Sequence, residues 1–357
     1  MAYRLANTIL FSPALELEAC DYTDIQRVYQ RLLNMIEEGA TIREIVYEHM
    51  ISQENWRRFR SPKDNTREMM EIFLARFNDA EVPQAALPCK NWSLTDDSDH
   101  YQLVIGYDEN SEPQEILDAT VTNCTDFYSA IANHADLIPR ITSILVETFL
   151  AGMPADVRLH VVDTIVSEDP HVFEDTFIPI IFSREFLIDM ERPAQLEERF
   201  FNIAHRISWW ANANFFRDIN PAWSGSTYPC LKNMKQAAFT YKLGRPAEVP
   251  LDTMSFSYSH KAIREKLLLD WRSDGTNAND SGWQEAFIQV DLSDDDFIKY
   301  LFVDIISRLP TDYELATLRQ IIEDRGYTKI EPTVQRAMIV MDYLSWLSET
   351  YDLNAMD

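Results

Sequence analysis

The sequence predicts a mainly α-helical protein of two helical lobes with one small β-hairpin insertion, and three observations carry that prediction. Only eight glycines occur in 357 residues, about a third of the usual share of roughly 7 per cent. Apolar residues recur at three- and four-residue intervals over most of the chain. Strand-like alternation is confined to the stretch between Pro83 and Asn123.

The elements follow in order. From Asp21, the residues Ile25, Val28, Tyr29, Leu32, Leu33 and Ile36 share a helical spacing that Gly39 ends, and Thr41 caps a second amphipathic segment through Met50. A third helix is expected after Asp64 and Asn65, both good capping residues, carrying Met69, Met70, Ile72, Phe73 and Phe77 before Pro83. The insertion at 83–123 reads as one hairpin, with strands at Tyr101–Tyr107 and Ile116–Val121 joined by an acidic loop. Helical patterning resumes near Thr125 and continues at 137–151, 155–167, 171–182 and 194–216, with Pro154 and Pro193 suited to first turns. Proline, serine and threonine dominate 220–227 and 244–254, which sets the lobe boundary near 217–255 and gives lobes of residues 1–216 and 217–357. In the tail, Thr311-Asp312-Tyr313-Glu314 matches a capping box, Gly326 stops a helix and Pro332 starts the last one.

Composition excludes several functions. The glycines stand singly, so there is neither a dinucleotide fingerprint nor a phosphate loop, and no nucleotide cofactor is expected. A net charge of −26 argues against nucleic acid and favours basic partners or cations. Cys20, Cys89, Cys124 and Cys230 form no CxxC pair and read as buried thiols, with one disulfide left open. The seven histidines show no ligand spacing, so no metal is expected. Ser259-His260 lacks the geometry of a nucleophile and its base, and no GxSxG elbow exists. Asp274–Asp280 resembles a calcium loop but fails its third, fifth and sixth positions, and Asp294–Asp296 after Ser293 reads as helix-dipole acids. Leu17-Glu18-Ala19-Cys20 has the outline of a lipoprotein cleavage box spoiled by Glu16 and Glu18, and no apolar run reaches the roughly 20 residues of a membrane span. On these grounds the chain reads as soluble and cytoplasmic.

Two stretches are rich enough to carry a site. Trp209 and Trp210 point about 100° apart on a helix, so one of them faces another lobe or a partner, and the aromatics and amides around them suit an interface or a carbohydrate cleft. On the third helix Arg67, Glu68 and Glu71 lie opposite the apolar arc, where only cover from the insertion or the second lobe makes them a buried network.

Asn65-Thr66-Arg67-Glu68-Met69-Met70-Glu71-Ile72-Phe73 resembles a signature of the uncharacterised bacterial family known as domain of unknown function 1800, which has an Asn followed by Ala-Arg-Glu-Leu-Met-Glu-Leu-Phe. Asn91-Trp92-Ser93-Leu94 is similar to its Gly-Trp-Ser-Leu, Ser183-Arg184-Glu185-Phe186 to its Ser-x-Glu-Phe, and Met234–Phe239 to a late Met-Gly-Gln-x-x-Phe. The resemblance covers roughly residues 40–290 and departs from the family pattern at Asn91 and in the missing Gly-Trp-Pro after Gly244. The family's N-terminal segment also has no counterpart. Ser307-Arg308-Leu309-Pro310-Thr311 resembles a Gly-Arg-Leu-Pro-Thr segment of other uncharacterised families. Because such families are commonly exported and have no settled activity, the resemblance implies architecture and an exported or periplasmic alternative to the cytoplasm. The functional expectation is a non-catalytic interaction or assembly subunit with a protein partner or a homo-oligomer, and the alternative is a carboxylate-dependent hydrolase or carbohydrate-binding protein. The candidate binding residues are Asn65, Arg67, Glu68, Glu71, Trp92, Trp209 and Trp210.

Overall fold

Helices dominate, as the glycine count and spacing require. The computed structural model describes residues 22–76, 78–97, 100–189, 191–193, 291–325, 332–347 and 352–354, together with Met1, Ala2, Leu5, Ile203, His260 and Thr350. The chain divides into two compact units, the first built chiefly from Met1–Met190 and the second from the chain after it. Their division falls near residue 190, ahead of the 217–255 stretch suggested by composition.

In the first unit, α1 (Tyr22–Glu37) stops where Gly39 adopts a φ of 75°, so that the Gly39 and Ala40 amides return to the Ile36 and Met35 carbonyls. A Cβ at Gly39 would meet nothing, so the backbone angle alone calls for glycine. Thr41 and Glu44 cap α2 (Ile42–Met50) reciprocally. Ser52 caps a short helix that the spacing did not suggest, α3 (Gln53–Arg58). The next helix, α4 (Pro62–Leu74), begins earlier than expected. Ser61 is its cap, Pro62 occupies the first turn, and Asn65 lies inside the helix, turned inward. Then come α5 (Val82–Ala86) and a 3₁₀ turn at Leu87–Cys89.

The single hairpin expected at 83–123 is in fact two. Strand β1 (Trp92–Asp97) pairs with β2 (His100–Ile105), setting Trp92 opposite Ile105. Strand β3 (Gln114–Ile116) pairs with β4 (Ala119–Val121) across Leu117 and Asp118, whose φ values of 54° and 59° make the mirror-image turn that matches strand twist. Pairing therefore follows the nearest tight turns instead of spanning the acidic loop. Asn123 and Asp126 form a capping box on α6 (Cys124–Asn133), followed by α7 (Leu137–Phe149), α8 (Ala155–Ser167), α9 (Phe173–Ile181) and the single turn α10 (Arg184–Leu187). The core between them includes Trp56, Phe73, Phe127, Tyr128, Ile141, Leu145 and Phe173, all fully buried.

The second unit opens with β5 (Glu191–Pro193), paired with β6 (Asp352–Asn354). Pro193 thus closes a strand and does not begin a helix, a place proline tolerates in a two-stranded sheet with free edges. Three helices, α11 (Asp294–Ile306), α12 (Asp312–Arg325) and α13 (Pro332–Leu344), enclose Phe297, Leu301, Phe302, Leu318, Val340 and Met341. No described helix is long and apolar enough to cross a membrane.

Candidate functional site

The family-like helix α4 holds two kinds of polar residue. Asn65 is fully buried, and its Oδ1 accepts a hydrogen bond of 2.7 Å from the Tyr128 hydroxyl on α6. Burial pushes the Tyr128 phenol well above 10, partly offset by the neighbouring Trp56 side chain. Trp92 closes the group, its ring 5.3 Å from Trp56 and 6.0 Å from Tyr128, and Phe127 meets Tyr128 edge-on at 5.5 Å. Asn65 and Trp92, far apart in sequence, are thus joined through Tyr128. Arg67, Glu68 and Glu71 lie on the other side of α4 and are half-buried. Trp209 and Trp210 lie outside the described residues, as does the Asp274–Asp280 loop.

The neighbouring helix α3 carries charge into the interior. Arg57 and Arg58 are only 8% and 7% exposed, and Glu54 and His49 are buried with them. Burial raises the Glu54 carboxyl, but Arg31 at 3.0 Å, its own backbone amide and Arg57 together hold it below 4.5. Burial, reinforced by Arg31 and Arg58, keeps the His49 imidazole well below 6.5 and therefore neutral at pH 7. Arg57 donates to the Tyr101 carbonyl at 2.5 Å, and Arg60 lies over the Tyr101 ring at 4.9 Å, so α3 anchors strand β2. The sequence offered little warning of α3. Its residues show no amphipathic stripe, because nearly every face is covered.

Cys89 and Cys124 form a disulfide, with Cα atoms 4.3 Å apart and both sulfurs buried. The cysteines are buried as expected, and the one disulfide left open by the sequence is this pair, which spacing alone could not assign because the cysteines flank a folded excursion. Cys20 and Cys230 lie outside the described residues.

The remaining candidates have structural partners. Ser293 caps α11 through Asp296, Asp294 meets Arg336 at 2.7 Å, and Asp295 accepts from the Arg319 Nε at 2.8 Å. Among the described residues no three His, Cys, Asp or Glu side chains gather to hold a metal. His260 Nδ1 lies 2.8 Å from the Ser345 hydroxyl, and its Nε2 is 3.9 Å from Asp342. These three do not make a nucleophile. Ser345 is fully buried, and its hydroxyl donates to the Asp342 carbonyl at 2.7 Å. Displaced carboxyls elsewhere are displaced downward: Glu44 and Asp175 accept backbone hydrogen bonds at helix starts, and Glu314 is held at about 2. A general acid needs the opposite displacement.

No family model, no curated protein and no solved structure matches this chain.

Proposed function

We propose that the chain is a non-catalytic interaction or assembly subunit that works through apolar surface displayed on its helical scaffold. The observation carrying this reading is the end of the first unit, where Ile178 and Phe182 lie one helical turn apart, Leu187 ends α10 and Ile188 follows it. Phe182 is 70% and Ile188 63% exposed. Large side chains left in water in sequence-adjacent groups mark contact surfaces more often than chance exposure does. The downward displacement of Glu44, Glu54, Asp175 and Glu314 favours this reading over carboxylate-dependent hydrolysis. The Cys89–Cys124 bond supports the exported alternative for its location, because structural disulfides persist in oxidising compartments.

Light scattering coupled to size exclusion tests the proposal. The wild-type chain is expected to exceed its monomer mass of 41.6 kDa, and Phe182→Ser with Ile188→Ser to return it to the monomer. A wild-type chain that is strictly monomeric at micromolar concentration, alone and with extract from its source, refutes the reading.

A further inference from the structure

We infer that the disulfide-closed insertion between Cys89 and Cys124 is a docking module whose outer rim takes a lysine- or arginine-rich segment of a partner protein, an inference that rests on the interaction reading above. The base of the insertion is fixed on several sides. Cys89–Cys124 ties its two ends, Trp92 is buried against Trp56 and Tyr128, and Arg57 and Arg60 hold Tyr101. The Asn91 amide donates to the Gly106 carbonyl at 3.0 Å, while the Gly106 N–H returns to the Asn91 carbonyl at 2.7 Å. A segment held this firmly loses little conformational freedom on binding.

Its outer side presents a mixture that isolated folding does not call for. Val104 and Ile105 are exposed at the end of β2, and Tyr107 just beyond them is fully exposed. The same insertion also exposes Asp108, Glu109, Glu112, Glu115 and Asp118. Residues 90–123 contain eight acids against a single lysine, Lys90, which concentrates about a quarter of the chain's net charge of −26 in less than a tenth of its length. Lys90 meets Asp108 at 3.2 Å.

The charge sign selects the occupant. Nucleic acid and anionic membranes are repelled. A metal ion needs converging carboxylates, and none converge among the described residues. A basic polypeptide satisfies both halves of the surface: its ammonium or guanidinium groups meet the acids, and the aliphatic stems of the same residues cover Val104, Ile105 and the Tyr107 ring. Tyrosine in such a position is a frequent binding hot spot, and the acids of the insertion raise the rate and selectivity of encounter.

The test uses the full chain and a fluorescein-labelled peptide of alternating lysine and leucine, read by fluorescence polarisation. Binding is expected at low ionic strength, weakening at least ~10-fold when salt shortens the screening length to a few ångströms. Ile105→Ser with Tyr107→Ser, which leaves every charge in place, is expected to weaken it by ~10-fold or more. Reversing Glu109 and Glu112 to lysine should abolish it, whereas reversing the exposed acids Asp163 on α8 and Glu168 just beyond it should leave it unchanged. Equal binding by wild type and the Ile105/Tyr107 variant, equal loss from the Asp163/Glu168 reversal, or no binding at all overturns the inference. Light scattering separates it from the parent proposal. A chain that assembles but ignores the peptide refutes the docking module alone, and a monomer that binds the peptide through the insertion keeps the module while removing self-assembly through Phe182 and Ile188.

Discussion

Replacing Glu314 with glutamine should make the stability of the second unit lose its response to acid. The Glu314 carboxylate accepts two hydrogen bonds of 2.8 Å from the Arg308 guanidinium, one of 2.7 Å from the Thr311 amide and one of 2.9 Å from the Thr311 hydroxyl. The Arg308 fork is the largest cause of its low proton affinity; burial, the next largest, opposes it, and the Thr311 amide and hydroxyl add to the fork, so the carboxyl falls from 4.5 to about 2. At 1.36 kcal/mol per pH unit this corresponds to about 3 kcal/mol. Arg308 is 31% exposed, and solvent screening reduces the figure to about 2 kcal/mol. The sign follows from linkage. Because the folded carboxyl binds its proton less tightly than the unfolded one, its contribution is complete above pH ~4.5 and drains away as pH falls towards ~2. Urea unfolding followed by circular dichroism should therefore show wild type exceeding Glu314→Gln by about 2 kcal/mol at pH 7, with less than half that gap left at pH ~3. A gap of the same size at both pH values would refute the reasoning.

Two further substitutions probe the first unit. Tyr128→Phe leaves the Asn65 Oδ1 buried without its 2.7 Å donor and should cost about 1–3 kcal/mol; a change below ~0.5 kcal/mol in urea unfolding would show that the buried pair is not holding α6 to α4. Cys89→Ala with Cys124→Ala opens a loop of 35 residues and should cost about 4 kcal/mol on chain-entropy grounds. Thermal melts with and without a thiol reductant give the same comparison on the unmutated chain, and identical melting would contradict the estimate.

Much of the fold was legible because its signals are local. Thr41 with Glu44, and Thr311 with Glu314, are capping boxes three residues apart, and each forms as written. Gly39 ends α1 for the same reason, a backbone angle set within one turn. What the sequence concealed depends on tertiary contacts. Asn65 looked like a cap by residue type, yet Ser61 and Pro62 start the helix one turn earlier and leave Asn65 to meet a tyrosine 63 residues away. Helix α3 was invisible to amphipathic reasoning because Trp56, Arg57 and Arg58 are all buried, so no polar face survives to show the period. The two hairpins were misread as one because the mirror-image turn at Leu117-Asp118 carries leucine at a positive φ, where sequence statistics expect asparagine or glycine. The candidate binding residues divided along the same line: Asn65 and Trp92 are drawn together by Tyr128, while Arg67, Glu68 and Glu71 were predictable only as a helix face.

Two of the stretches singled out in the sequence, Asn65–Phe73 and Ser307–Thr311, are used to hold the fold. In the first, Asn65 spends its Oδ1 on Tyr128 and the apolar residues Met69, Met70, Ile72 and Phe73 are buried. In the second, Arg308 and Thr311 spend their donors on Glu314, which explains an arginine and a threonine three residues apart without any ligand. A side chain committed to a buried internal hydrogen bond is a poor contact for a substrate, because releasing it leaves a partner desolvated and unsatisfied. On the interaction reading proposed above, the residues that distinguish one partner from another lie elsewhere, on exposed surface: Ile178, Phe182 and Ile188 at the end of the first unit, and Ile105 and Tyr107 in the insertion. On that proposal, function is altered by changing those exposed side chains, and stability by changing Asn65, Tyr128 or Glu314, whose polar atoms are committed to hydrogen bonds within the fold.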